Sequence, residues 1–233
     1  MKDKYSIKPI FSSECYEWFL KKHYAKRLPN INFAFGLYND VNILNGVCSF
    51  GRPMSHTLVQ GAVNGLYKDD FLELNRLVIN EGLEKNVISF FVSNCLNMLS
   101  TPTVVVSYAD TSQGHHGYIY QATNWIYTGL SAKFKDYAVK GLENMHHSSI
   151  EDSVGRYDKN KNIDKHTLLK EKYGDRLYTK ERPRKHRYFY FLGNKKDKSI
   201  MKDNLSYEIK PYPKGDNKRY DASYNPTVQG LLF

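Results

Sequence analysis

The sequence has little cysteine and no long hydrophobic run. Its three cysteines, Cys15, Cys48 and Cys95, form no Cys-x-x-Cys pair, which excludes zinc-finger and dithiol redox motifs. We expect them to be buried free thiols in a reducing compartment. No apolar stretch reaches the roughly 18 residues that a membrane span needs, and the first residues lack the apolar segment of a signal peptide. These absences predict a cytoplasmic protein.

Motifs for metal binding are also missing. The adjacent pairs His115-His116 and His146-His147 invite a metal site, but neighbouring side chains diverge and no carboxylate stands at a chelating offset such as His-Glu-x-x-His. We therefore predict no metal site, with Asp110 and His115 as the best pair if one exists.

Positive charge is concentrated in the second half of the chain. The 233 residues carry a formal net charge of +10. Residues 1–130 hold 11 Lys and Arg against 10 Asp and Glu, whereas residues 131–233 hold 23 against 14. With 19 Tyr and 12 Phe among them, such cations suit phosphate contacts combined with base stacking. The asymmetry favours a nucleic-acid partner; the alternative is a basic surface kept for solubility.

The order of hydrophobic patterns predicts a mixed α/β sheet. Strands are expected at residues 6–10, 32–38, 41–50, 71–79, 103–108, 125–131 and 186–192, and helices after Ser12 or Ser13, after an Asn86 cap, and at 115–124. The first helix is expected to carry Tyr16, Phe19 and Leu20, with His23 or Tyr24, on one face.

Two segments fall outside this alternation. Residues 132–186 are polar and too long for a plain loop, and are predicted to be a basic insertion with short helices, for example at about 165–173. Residues 194–233 are predicted to be a loosely packed basic tail. The expected catalytic domain is therefore residues 1–193, including the insertion.

This order of elements resembles the GCN5-related N-acetyltransferase fold. The resemblance implies a mostly antiparallel central sheet whose fourth and fifth strands, here 71–79 and 103–108, splay apart around acetyl-CoA or a related acyl donor. It also implies flanking helices and, in this chain, the insertion before the last strand. The residues expected to bind the cofactor are Leu77, Val78, Ile79, Lys85, Asn86, Val87 and Ser89, since the helix N-terminus favours the pyrophosphate. The usual glycine-rich phosphate loop is reduced to Gly82.

A more specific resemblance lies in a series of short motifs. The most specific motifs are Ser-Tyr-Ala-Asp at 107–110, Gly-His at 114–115 and Tyr-Gln-Ala-Thr-Asn at 120–124. Further matching segments come before them, at 23–29, 33–38, 46–51 and 73–78, and after them, at 126–129, 185–188 and 211–214. In this order they resemble the Mom-like adenine-modification proteins of phages, over roughly residues 20–214. The resemblance implies a transferase in the host bacterial cytoplasm that converts adenine in double-stranded DNA to N6-carbamoylmethyladenine, which protects the DNA from restriction enzymes that read the major groove.

Four residues are candidates for the chemistry. Asp110 ends the fifth strand and could accept a hydrogen bond from adenine N6–H; the alternative is a turn cap. Tyr120 aligns with the tyrosine of the fold that protonates the departing thiolate; the alternative is a buried helix tyrosine. Arg76, inside an apolar strand, is expected to bind substrate or to pair with Glu73 or Asp110. His23 is the fourth candidate, for contact with base or phosphate.

The densest basic run, residues 180–187, is the predicted DNA contact. Its members Arg182, Arg184, Lys185 and Arg187, together with Lys26 and Arg27 near His23, are expected to bind phosphates. A solvated charge run is the alternative. Two other functions stay open: an acyltransferase acting on a small amine or a protein, and a non-catalytic DNA-binding phage protein.

Overall fold

A computed structural model describes residues 1–145, 147–154 and 164–216, with residues 224 and 226. The chain divides into two compact units, residues 1–130 with 185–233, and residues 131–184. Within the described ranges no helix is long and apolar enough to cross a membrane.

The described strands are β1 (Tyr5–Pro9), β2 (Phe33–Asn39), β3 (Leu44–Gly51), β4 (Phe71–Ile79), β5 (Thr103–Asp110), β6 (Ile126–Leu130), β7 (Lys135–Val139), β8 (Leu177–Glu181) and β9 (Lys185–Leu192). The α-helices are α1 (His56–Gly61), α2 (Val87–Asn97), α3 (Tyr118–Ala122), α4 (His147–Asp152), α5 (Lys165–Tyr173) and α6 (Lys195–Asp203). The strands predicted from hydrophobic patterns all occur, with small shifts at their ends.

The first unit is built on a seven-stranded sheet in the order β1-β2-β3-β4-β5-β9-β6. Neighbouring strands are antiparallel except β4 and β5, which are parallel and connected through α2. The ladder between β4 and β5 holds only three pairs, from Phe71–Val104 to Glu73–Val106. The predicted mixed sheet with splayed fourth and fifth strands is confirmed.

A β-bulge in β4 lies next to the point where the two strands separate. Phe50 pairs with Leu74 and Ser49 with Arg76, so Asn75 is an extra residue on its strand. Its side-chain oxygen accepts from Ser49 Oγ at 2.6 Å, and its side-chain nitrogen donates to the Asn30 carbonyl at 2.7 Å. A bulge bends its strand and changes the direction of the following side chain. One asparagine therefore satisfies two polar partners at the bulge.

Apolar cores cover both faces of the sheet. On one face α2 buries Val87, Phe91, Val92, Cys95 and Leu96, as its helical spacing predicted. The Asn86 cap prediction is wrong in its mechanism. Asn86 adopts the left-handed conformation (φ 71°) and its side chain makes no capping hydrogen bond; its carbonyl accepts from Phe90 N instead. Asparagine tolerates this backbone conformation better than most residues do.

The first predicted helix is irregular. It consists of a 3₁₀ turn at Ser12–Cys15 and a π turn at Trp18–Lys22, and neither Ser12 nor Ser13 is its N-cap. Trp18 and Phe19 are buried, while Tyr16 is 41% and Leu20 44% exposed. The predicted face is right for Phe19 and His23, which are buried, and wrong for Tyr16 and Leu20. The reason is that 3₁₀ and π turns rotate successive side chains by angles different from those of an α-helix.

The second unit contains β7 and β8 as an antiparallel pair, with α4 and α5. Its small core is formed by Val139, Ile150 and Leu169. Helix α5 spans the residues predicted to be helical. Residues 155–163 of the predicted insertion, and His146, lie outside the described residues.

The predicted tail begins with a helix that the sequence pattern did not reveal. In α6, Asn194 and Asp197 form a capping box, and Met201 is fully buried against the sheet. The expectation of loose packing is wrong for this helix, because its two apolar residues, Ile200 and Met201, stand in a segment whose composition is otherwise polar and charged. Residues 217–223, 225 and 227–233 of the tail lie outside the described residues.

Candidate active site

The candidate site is the cleft that opens between β4 and β5. Beyond Glu73 the edge of β4 is no longer paired with β5. Ser107 spans the start of the gap, since its hydroxyl lies 2.7 Å from the Leu74 carbonyl oxygen. The gap exposes backbone polar groups of both strands toward the same space, which is where a ligand binds in an opened parallel pair.

Glu73, at the start of the cleft, is a functional candidate that the sequence analysis missed. Burial raises the pKa of its carboxyl group from 4.5 to about 6, and the nearby charges of Lys185 and Arg76 limit the rise. The carboxylate forms no hydrogen bond or ion pair with any residue that the structure describes. A largely buried carboxylate that titrates near neutral pH is a candidate proton acceptor. Its signal in the sequence was a lone acid between apolar residues of a central strand.

Asp110 lies at the end of β5 and acts as a cap. One carboxylate oxygen accepts from Ser112 N at 3.0 Å and from Ser112 Oγ at 2.7 Å. The other lies 3.4 Å from Lys185 Nζ. Asp110 therefore forms the turn cap that was the alternative interpretation. The contact of Asp110 with adenine N6–H stays a prediction. Lys185, expected to bind phosphate, is held beside both candidate carboxylates.

Arg76 and His23 lie close together near these carboxylates. Arg76 follows the bulge and donates from Nη1 to the Asn75 carbonyl at 2.7 Å. Burial lowers the pKa of His23 to about 3, assisted by the positive charges of Arg76 and Lys185 and by His115. His23 Nδ1 accepts from Ala25 N at 3.0 Å, so the hydrogen of the neutral ring is on Nε2. At neutral pH His23 is therefore a hydrogen-bond donor through Nε2 without a positive charge.

Aromatic rings extend this corner of the cleft. His23 stacks on Tyr24 with ring centroids 4.3 Å apart, and Tyr24 meets His115 edge to face at 5.9 Å. Burial also lowers the pKa of His115, although Asp110 opposes the shift. Among the described residues no three His, Cys, Asp or Glu side chains are arranged to hold a metal ion.

Tyr120 reaches the same gap from α3. Its phenol oxygen lies 2.7 Å from Ser107 Oγ, the hydroxyl that also contacts the Leu74 carbonyl. A carbonyl oxygen can only accept and serine has one hydrogen, so the phenol donates to Ser107. Burial raises the pKa of Tyr120. The structure thus brings Tyr120 to the splay point as a neutral phenol, and its role as a proton donor stays a prediction.

The start of the helix that follows β4 has features that suit a cofactor pyrophosphate. Asn86 leaves the first turn of α2 without a side-chain cap, so backbone N–H groups there are available to an anion. The two acids of the preceding loop are compensated: Glu81 lies 2.7 Å from Lys22 Nζ and Glu84 2.5 Å from Lys4 Nζ. Lys85 is exposed. These features fit an anionic cofactor.

The other residues predicted to bind the cofactor have mostly internal contacts. Leu77 and Ile79 pack against the α2 core, Val78 is buried on the opposite face, and Val87 is buried in α2. Ser89 Oγ donates to the Asn86 carbonyl at 2.9 Å. The three β4 residues can therefore serve a ligand only through their backbone edge.

The residues predicted to bind DNA are not equivalent. Arg187 is half-buried, with its guanidinium 3.5 Å from the centre of the Tyr207 ring and its Nε donating to Thr128 Oγ1 at 2.9 Å. Arg182 is held by Asp136, and Arg184 Nε donates to the Ser131 carbonyl at 2.6 Å. Lys26 and Arg27 are exposed.

A sheet opened between parallel β4 and β5, with α2 connecting them, is the arrangement that the resemblance to the GCN5-related N-acetyltransferase fold predicts. The sequence matches the Mom protein family over residues 4–214, and the chain belongs to that family. It is similar to the methylcarbamoylase Mom of Escherichia phage Mu, with 27% identity over 113 residues. That match covers 46% of this chain and 46% of the relative's length.

Among solved structures, the chain is similar to YncA of Salmonella typhimurium, whose structure contains its cofactor acetyl-CoA. The identity is 8% and the TM-score 0.43, over 82% of this chain and 95% of that one. It is also similar to the ribosomal-protein-S5-alanine acetyltransferase of Vibrio fischeri, with 7% identity and a TM-score of 0.43, over 82% and 94% of the two chains.

Proposed function

We propose that this protein is a phage DNA-modification enzyme that converts adenine in double-stranded DNA to N6-carbamoylmethyladenine and so protects the DNA from host restriction. Membership of the Mom protein family is the observation that carries the proposal. The similarity to the phage Mu methylcarbamoylase suggests the group that is transferred.

The site chemistry supports transfer to an exocyclic amine. Adenine N6 is a weak nucleophile because its lone pair is conjugated with the ring, and it is stacked inside the duplex. We expect the enzyme to flip the base into the cleft, at a cost of a few kcal/mol. As the bond from N6 to the methylene carbon of the donor forms, the bond from that carbon to its leaving group breaks. One N6–H bond also breaks, and its proton passes to Glu73. A carboxylate with a pKa of about 6 is mostly ionised at pH 7 and can accept that proton.

The other cleft residues have supporting roles in this proposal. Asp110, held by Ser112 and Lys185, accepts a hydrogen bond from the second N6–H. The neutral His23 donates from Nε2 to a ring nitrogen of the base. The positive charges of Lys185 and Arg76 lower the pKa of Glu73 and so favour its ionised form. Tyr120, positioned at the splay point by its hydrogen bond with Ser107, donates its phenol proton to the departing group.

An acyl thioester is the cofactor class that we propose for the cleft. It would lie along the backbone of Leu77, Val78 and Ile79, with its pyrophosphate at residues 85–89 and the exposed Lys85 as its positive partner. When bound, it would supply an acyl unit and a thiolate leaving group. Attack of N6 on the thioester carbonyl would give an N6-acyladenine, so in the proposed reaction the methylene carbon joins N6 and a second, amine-type donor supplies the amide nitrogen.

The test is mass spectrometry of nucleosides from a bacterial host that expresses the protein. We expect an adenosine species heavier by one carbamoylmethyl group, and its loss in Asp110→Asn. The matched control is Asp175→Asn, an exposed aspartate of the second unit. Unmodified DNA from a well-folded protein would overturn the proposal. Acetyl-CoA titration and DNA binding would then separate an acyltransferase for small amines or proteins from a binding protein.

A further inference from the structure

A groove in the second unit combines an exposed aromatic ring with several cations. We call it the Phe134 groove; it encloses about 230 Å³ and is lined by Lys133, Phe134, Lys135, Glu181, Arg182 and Arg184. Phe134 is 54% exposed. It directly precedes β7, and its carbonyl accepts from Arg182 N at 2.8 Å just beyond β8. A large apolar ring at the end of a two-stranded ribbon is therefore presented to solvent.

Arg182 fixes this ring. Its Nε and Nη2 both donate to Asp136 Oδ1, at 2.8 and 2.5 Å, and the Asp136 carboxylate is buried. The guanidinium carbon lies 5.5 Å from the centre of the Phe134 ring. Because Asp136 balances its charge, Arg182 acts as a support for Phe134 and adds little net charge to the groove.

The remaining charges give the groove a positive surface. Lys133 and Lys135 are exposed and form no ion pair with the residues that the structure describes. Arg184 adds a third positive charge, and Glu181 is the acidic residue of the lining. Two exposed lysines on either side of a protruding ring are complementary to a polyanion that also offers flat apolar surface.

We propose that the Phe134 groove is a contact surface for duplex DNA, in which Lys133 and Lys135 bind phosphates and Phe134 packs against a base step. A two-stranded antiparallel ribbon fits a DNA groove, and phenylalanine is one of the side chains that insert between base steps. The inference deepens the proposed function and rests on it for the choice of DNA. It adds Lys133 and Lys135 as the phosphate contacts, beside Arg182 and Arg184 of the basic run at residues 180–187.

The experiment measures binding of a fluorescent duplex by anisotropy, at several salt concentrations, with the full chain. The logarithm of the binding constant falls linearly with the logarithm of the salt concentration, and removal of one phosphate-binding cation makes this salt slope shallower by about 0.9. The double variant Lys133→Ala/Lys135→Ala should therefore lower it by about 1.8 and weaken binding at 0.15 M salt by up to roughly 30-fold. Phe134→Ala should weaken binding about fivefold or more without changing the slope, and Phe134→Leu by less, because leucine keeps part of the apolar wedge.

Matched controls separate this surface from charge and folding in general. Lys170→Ala/Lys172→Ala removes two positive charges from the same unit, where Lys170 pairs with Asp175. Phe11→Ala removes a ring that is 79% exposed in the first unit. Both controls should bind DNA within about twofold of wild type, since neither changes a cation or ring of the groove. Thermal melting shows whether Phe134→Ala is folded. If it is not folded, the inference is tested by the DNA affinities of Phe134→Leu and the lysine variant.

The outcomes distinguish this inference from the proposed function. The inference would be overturned if the lysine variant and Phe134→Leu both bound DNA with the affinity and salt slope of the unaltered protein. This holds even where the unaltered protein modifies adenine in cells. Weaker binding by those variants, in a protein that makes no modified base, would support the groove and overturn the enzyme. An equal decrease in the Lys170/Lys172 control would show general attraction and overturn the inference, as would binding of an acidic protein but not of DNA.

Discussion

Replacing Glu73 by glutamine is the perturbation that most directly tests the proposed chemistry. The substitution keeps the size of the side chain and removes its ability to accept a proton. A positioned general base contributes about 10²- to 10⁴-fold to a rate. We therefore expect Glu73→Gln to reduce N6-carbamoylmethyladenine in host DNA by at least about 100-fold. Glu171→Gln, at an exposed position in α5, is the control and should leave the yield unchanged.

The raised pKa of Glu73 gives the same prediction a second measurement. With a pKa of about 6, the carboxylate is roughly 90% ionised at pH 7 and roughly 10% ionised at pH 5. A rate that depends on the ionised form should fall about tenfold between these values as pH decreases. An ordinary glutamate with a pKa of 4.5 would lose only about a quarter of its ionised form. The rate decreases as pH falls because protonation of the Glu73 carboxylate removes the base.

The pKa can be measured without the donor. Titration of ¹³C-carboxyl-labelled glutamate by NMR, with Glu73→Gln to assign the signal, should give a midpoint near 6. Lys185→Met should raise that midpoint further, because Lys185 lowers the pKa of Glu73. A midpoint near the ordinary value, or full modification of DNA by Glu73→Gln, would refute the assignment of Glu73 as the base.

The remaining predictions concern the frame of the site. Phe91→Ala should destabilise the protein by about 3–5 kcal/mol in urea denaturation, since the ring is fully buried under the sheet. Asn75→Ala should cost about 1–3 kcal/mol, because the buried hydroxyl bonded to it loses its acceptor; unchanged stability would contradict the role given to the bulge. Gly117→Ala should also destabilise, since φ is +77° and the new Cβ would lie 2.5 Å from the Tyr188 ring. Burial raises the pKa of Cys15 to about 12 and also that of Cys48, so iodoacetamide should label neither in the folded protein and both in urea; native labelling would argue against the buried thiols.

The sheet was predictable because its signals are local. Apolar alternation located β4, and the helical spacing of buried residues located α2, since both patterns depend only on which side chains face a core. The π turn at Trp18–Lys22 and helix α6 were not predictable in the same way. The π turn has no α-helical period. Helix α6 has only Ile200 and Met201 as apolar residues, and the burial of Met201 against the sheet is decided by the folded structure.

The α/β alternation follows from the order of residues in the chain. The resemblance to a known fold predicted the splay between the fourth and fifth strands and, with the motifs, pointed to Asp110, Tyr120, Arg76 and His23. The folded structure decides which of these residues have neighbours that change their chemistry. Glu73 shows the difference, because its carboxyl group is ordinary in the sequence and titrates near neutral pH only where burial removes water from it. Arg187 shows the reverse, since a basic run predicted phosphate contact and the folded chain stacks the guanidinium on Tyr207. Burial and partner distances are properties of three-dimensional packing, and no local pattern in the chain encodes them.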